Sequence, residues 1–182
     1  MHKTPLSLAL VAAAVLVQAP AHAQSWRFMP AFTDSSFQLR PTLAFTTGYV
    51  NPDGAPSATF WGLEANFNSG VIQSPDNRVR TYLQVNFSDK SGVKATVFEL
   101  SPRYMLPLDG SFSVGLGPSL TTATVKAGGA SNSVWGLGVA GGLDWRLGSL
   151  YAGVDLRWHE TARKNGVTYD NTALGFKVGL NF

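Results

Sequence analysis

Eight times along this chain apolar and polar residues alternate one for one over ten or more positions, and the ten charged residues in the interiors of those stretches all fall on the non-apolar side of the alternation. A side-chain repeat of two belongs to a β-strand, whose successive residues point to opposite faces. Helical periodicity is absent from these stretches. The alternation predicts strands at Phe37 to Val50, Thr59 to Asn68, Arg78 to Phe87, Lys94 to Leu106, Ser111 to Ala123, Ser133 to Leu147, Leu150 to His159 and Thr172 to Phe182, with turn-forming clusters between them. The apolar sides carry Leu43, Phe45, Trp61, Leu63, Leu83, Phe98, Leu100, Leu120, Trp135, Leu143, Val154, Leu156, Phe176 and Val178. The other sides carry Arg40, Glu64, Arg80, Glu99, Arg103, Asp144, Arg146, Asp155, Arg157 and Lys177.

Turn chemistry tests the pattern independently, because a hairpin loop sets which residues pair and pairing must keep like faces together. A two-residue loop at Gly148-Ser149 pairs Leu147 with Leu150, Trp145 with Ala152 and Leu143 with Val154, and both faces stay consistent. A three-residue loop at Leu108-Asp109-Gly110 pairs Leu106 with Phe112 and Tyr104 with Val114, with Arg103 opposite Gly115. Pro41, Pro102 and Pro118 fall inside strands, where each lacks a ladder donor and marks a bulge or a strand end.

The same alternation suits a soluble sandwich with a buried apolar face and a barrel with an apolar face turned to lipid. Composition separates them. Only 14% of residues are charged, against roughly 25% in soluble globular proteins. The polar faces are rich in small residues (Gly62, Gly115, Gly117, Ser119, Gly136, Gly138, Gly142, Gly153, Gly175, Gly179), which suits a crowded interior. Trp61, Trp135, Trp145, Trp158, Tyr49 and Tyr104 stand near strand ends on the apolar side, as an interfacial girdle requires. The strands also match or exceed the roughly 9 to 11 residues that a tilted strand needs to cross hydrocarbon. The expectation is an all-β, eight-stranded antiparallel up-and-down transmembrane β-barrel.

A basic start (His2, Lys3), an apolar run from Leu6 to Val17 and Ala21-His22-Ala23 make residues 1–23 a cleavable secretory signal peptide. Residues 24–36 follow as a linker, and 37–182 form the barrel domain.

The last segment, Leu174 to Phe182, alternates and ends on an aromatic residue. Leu100-Ser101-Pro102-Arg103-Tyr104-Met105-Leu106-Pro107-Leu108 is followed by Gly115-Leu116-Gly117-Pro118. On these residues the chain resembles the small eight-stranded outer-membrane β-barrels of Gram-negative bacteria, such as the OmpX type and the transmembrane domain of OmpA. The resemblance implies that Phe176, Val178, Leu180 and Phe182 form the signal read by the outer-membrane assembly machinery. Lys177 stands where that signal often has glycine. It also implies residence in the outer membrane after export to the periplasm, and contact with outer-membrane lipid and lipopolysaccharide. Short turns would lie on the periplasmic side. The stretches Asn51 to Ala58, Ser88 to Val93, Thr124 to Asn132 and Glu160 to Asn171 would be outer loops, with Lys126, Arg163 and Lys164 as a mildly basic rim. Ser69 to Asn77 is long for a periplasmic turn.

Eight strands enclose an interior that side chains can fill, so the ten charges read as a plugged, hydrogen-bonded core, since buried charges need partners. The expected role is structural or surface-interacting, as a monomer. A narrow pore or small-solute conduit gated by Arg103 and Glu99 is the alternative, and an envelope enzyme acting on lipid A comes third. No enzyme activity is expected. His159 is the only histidine past the leader, and Asp155 lies about 13 Å away along the strand, so the two cannot pair in a triad; His159 reads as a rim residue. With no cysteine and three histidines in all, no metal or organic cofactor is implied. A net charge of +3 without a clustered basic face argues against nucleic acid.

Overall fold

The computed structural model describes residues 25–164 and 166–182; the expected leader lies outside them. Eight long strands form a closed antiparallel barrel. A two-residue strand β1 (Arg27–Phe28) and one helical turn α1 (Pro30–Thr33) come first. The barrel strands are β2 (Thr42–Pro52), β3 (Ala58–Asn68), β5 (Val79–Lys90), β6 (Val93–Pro107), β7 (Phe112–Ala127), β8 (Ala130–Leu147), β9 (Leu150–Thr161) and β10 (Asn171–Asn181). The short β4 (Ile72–Gln73) lies in the turn between β3 and β5. Each barrel strand pairs with the next, and β10 closes against β2 through an unbroken ladder from Asn171–Pro52 to Asn181–Thr42. Closure leaves no free edge strand in the ring, although β8 runs on past β9 from Trp135 to Ala130.

The alternation is radial. Val178 is 63% exposed on the outer face and its neighbour Lys177 5% exposed inside. Phe45, Trp61, Leu63, Phe98, Leu137 and Leu156 are exposed in the same outward direction. Phe176, Val178, Leu180 and Phe182, the residues expected to form the assembly signal, all stand on this exposed side.

Several boundaries differ from the sequence expectation. The first strand begins at Thr42, not Phe37, because Arg40 has a left-handed φ of 46° and Pro41 offers no donor. The stretches Ser88 to Val93 and Thr124 to Asn132 are not loops: the strands run on to two-residue turns at Ser91-Gly92 and Gly128-Gly129, where all four residues have positive φ, as a primed hairpin turn requires. Beyond the apolar belt the ladder continues while the hydrophobic alternation stops, so the pattern ends before the strand does. The turn after β6 is also longer than expected. Leu106 pairs with Val114 and Tyr104 with Leu116, a register shift of two residues. A shift of two leaves every side chain on its own face, so the parity test cannot detect it.

At that turn the Asp109 carboxylate accepts the backbone N–H groups of Ser111 (2.8 Å) and Phe112 (2.9 Å), and these bonds hold its pKa below the usual aspartate range. The bonds are therefore present above that range and are lost as pH falls through the depressed pKa. The Ser111 and Phe112 amide resonances in micelles are expected to titrate with a midpoint below that of an ordinary aspartate; flat resonances would remove the carboxylate from the turn.

Pro102 and Pro118 produce no bulge. Leu100–Leu120 and Tyr104–Leu116 keep one register on either side, which brings the two prolines opposite each other. Their missing donors coincide in a single gap, and Ser101 Oγ donates to the Pro118 carbonyl at 3.0 Å. Gly117 lies at this gap, where a Cβ would strike the Pro102 carbonyl oxygen.

The long turn between β3 and β5 is structured by the segment before the barrel. There β4 pairs with β1, Arg27 with Gln73 and Phe28 with Ile72, and Met29 N–H donates to the Val71 carbonyl at 2.7 Å. Trp26, Phe28, Met29 and Phe32 stay exposed on this segment rather than entering the lumen.

Candidate functional site

Inward-facing positions of β3, β5, β6, β8, β9 and β10 meet in a stack of charged side chains. At its centre Lys177 of β10 extends its ammonium to within 3.0 Å of Asp155, 3.2 Å of Glu64 and 3.5 Å of Asp144. The rings of Tyr82 and Tyr151 flank it, their centroids 4.9 and 5.5 Å from Nζ. Asp144 accepts from the hydroxyls of Tyr82 and Tyr151 and from Arg146 (2.9 Å). Glu64 accepts from Asn66, Gln84 and Tyr151.

Toward the end opposite Phe182, Arg103 pairs with Asp155 at 2.6 Å and lies 3.8 Å from Glu99. Arg157 lies 3.3 Å from Glu99 and donates to Gln84 Oε1 at 2.6 Å. All four carboxylates thus stand within ion-pair distance of a base, and desolvated charges of this kind persist only when paired.

Above the charges the lumen turns apolar. Val50, Ala58, Phe60, Ala95, Ala123, Val134, Tyr169 and Ala173 form a buried cluster, with Val97 and Val125 packed on it. Tyr169 comes from the loop after β9, and burial raises its hydroxyl pKa. A cavity of about 30 Å³ remains between this cluster and the Glu99–Arg157 pair. That is room for about one water, beside a Glu99 Oε1 that has no hydrogen-bond partner among the described residues.

Nine of the ten charged residues singled out by alternation point into this interior. Arg40 does not: it precedes the first strand, is exposed, and gives its Nε to Gln38 Oε1 at 3.1 Å. Its left-handed backbone takes it off the alternation. Arg80 sits at the lower end of the lumen, bonded to neutral oxygens of Asn66, Asn68, Thr42 and the Arg40 carbonyl. The proposed gate residues Arg103 and Glu99 lie across the lumen from Asp155 and Arg157, which spacing within one strand could not reveal. Charge alone also missed the neutral members Tyr82, Gln84, Asn66 and Tyr151. Their signal was parity, since each shares a face with a charged neighbour on its own strand.

His159 is not at the rim. It is 3% exposed, with Nε2 2.8 Å from Ser119 Oγ and 4.0 Å from Glu99 Oε2. A nucleophilic triad needs the hydroxyl on one ring nitrogen and the acid on the other. Here both face Nε2, and the ring points into the barrel, away from lipid. Among the described residues no group of histidine and acidic side chains could hold a metal ion.

The sequence matches no protein-family model and no curated protein sequence. Solved structures do match. Neisserial surface protein A is 14% identical, with a TM-score of 0.55 over 79% of this chain and 95% of that one. The N-terminal β-barrel domain of Pseudomonas aeruginosa OprF is 14% identical, with a TM-score of 0.52 over 80% of this chain and all of that one. Ail, the attachment invasion locus protein of Yersinia pestis, is 12% identical, with a TM-score of 0.50 over 80% and 100% of the two chains.

Proposed function

We propose that this chain, which has the fold of the small eight-stranded outer-membrane β-barrels, is a closed-lumen structural or surface-interaction component of the Gram-negative envelope and not an enzyme. The observation that carries the reading is the filled interior. Four carboxylates and four of the bases neutralise one another across the lumen, and an apolar cluster closes the end above them. Conduction would require hydrated ions to pass both layers.

In this reading the end with Phe182 and the Gly148-Ser149 turn faces the periplasm, after export by the leader, and the Gly128-Gly129 end faces outward. The barrel works as a monomer, and its partners are outer-membrane lipid, lipopolysaccharide and, during biogenesis, the assembly machinery that reads the terminal strand. Lys94 and Lys126 support lipopolysaccharide contact. They are direct cross-strand partners at the outer end, and like charges placed opposite destabilise a ladder unless an anion sits against them. Asp89, 3.2 Å from Lys94, answers only one of the two.

Planar-bilayer recording tests the closed lumen. Purified protein is expected to leave the bilayer as silent as a protein-free control. Discrete openings that disappear in Arg103→Ala or Glu99→Ala would replace this reading with the conduit.

A further inference from the structure

The lumen is closed at one end and open at the other. Beside Phe182 lies a cavity of about 860 Å³, bounded by the barrel floor, the segment before β2 and the turn containing β4. Charge is unequally matched there. The two acidic side chains on its wall, Asp34 and Asp76, each have an arginine of their own, Arg27 and Arg78. Asp34 also accepts from Ser36, and Asp76 from Ser74 and Tyr104.

The arginines on the floor are not matched in this way. Arg80 has no carboxylate within ion-pair distance among the described residues, only neutral acceptors. Arg146 has Asp144, which Lys177 already shares. Both guanidinium groups also donate to one atom, Asn66 Oδ1, at 2.7 and 3.2 Å, so two cations are held side by side on a neutral oxygen. Arg40 adds a third at the mouth. Its Nη groups have no protein acceptor among the described residues.

Adjacent like charges repel, more strongly where protein walls limit the water that screens them. An arginine with no carboxylate of its own, held beside one whose carboxylate is shared, favours an anion at the bottom of an open cup, and planar guanidinium forks suit two-oxygen groups. We propose that this vestibule is a binding site for a small solute bearing an oxyanion, phosphate or carboxylate, with Arg80 and Arg146 as its floor and Arg40 at its entrance. Only the compartment from which the solute arrives depends on the orientation given above. Protease protection of the loop at 53–57 in intact cells tests that orientation separately from binding.

The test follows the arginine Nε–Hε resonances of the whole protein in micelles while inorganic phosphate or citrate is added at constant ionic strength. The Arg80 and Arg146 signals are expected to move saturably while those of Arg103 and Arg157 stay still. Arg80→Gln is expected to weaken the apparent Kd at least tenfold and Arg40→Gln severalfold, with heat-modifiable gel migration reporting that each variant is folded. Should Arg80→Gln not fold, Arg40→Gln alone decides. Saturation by phosphate only assigns a phosphate-bearing solute, by citrate only a carboxylate-bearing one, and by both the shared chemistry. Shifts that grow without saturation across all arginines, or folded variants that bind like the parent, overturn the site.

Discussion

Replacing Lys177 with methionine is expected to lower the stability of the folded barrel by about 3–5 kcal/mol, the usual cost of removing one partner from a buried ion pair. Methionine keeps most of the length and fits between the Tyr82 and Tyr151 rings, so the loss is electrostatic and not a cavity. The three carboxylates around Nζ are unequally affected. Asp144 retains Arg146 and Asp155 retains Arg103, whereas Glu64 has no other base within reach. Adding Glu64→Gln to Lys177→Met is therefore expected to restore more than half of the loss, because the amide remains a partner for its neutral neighbours without a charge to leave unpaired. Urea unfolding in micelles, followed by tryptophan fluorescence, measures both. A single variant within about 1 kcal/mol of the parent, or a double variant no better than the single, would mean that Lys177 is not the hub of the lumen.

Val178→Arg, one residue further along the same strand, tests the opposite face. A charge on the lipid side of a barrel costs about 2–4 kcal/mol at the bilayer midplane and little near the interfaces. Val178 is exposed and stands three residues from the end of β10, between Phe45 and Ala152, so a cost in the lower part of that range is expected in lipid vesicles. The same substitution in the outer loop, Ala55→Arg, is expected to change stability by less than about 0.5 kcal/mol. Equal tolerance at both positions would mean that no hydrocarbon surrounds the wall.

These two residues also show how far a linear pattern reaches. That Lys177 faces inward and Val178 outward was readable from the sequence, because strand parity is local and survives any error in loop length. What Lys177 touches was not. Asp144 and Glu64 lie 33 and 113 residues away in the chain and come within reach only when β10 closes against β2. Phe60 and Val134 share the parity of the lumen charges yet form an apolar cluster, since alternation reports which side a residue faces and not how far along the barrel it stands. Arg40 was misplaced for the complementary reason: parity was extended through a residue whose backbone is not extended.

The sequence by itself determined the strand count, the radial sense of the residues inside the strands and the outward apolar belt, all consequences of a two-residue repeat next to lipid. Only the tertiary structure decided the partners across the lumen, the turn lengths, the pairing of β1 with β4 and the unmatched Arg80 at the open end. Those depend on the stagger with which the sheet closes, a property of the whole ring that no single strand encodes.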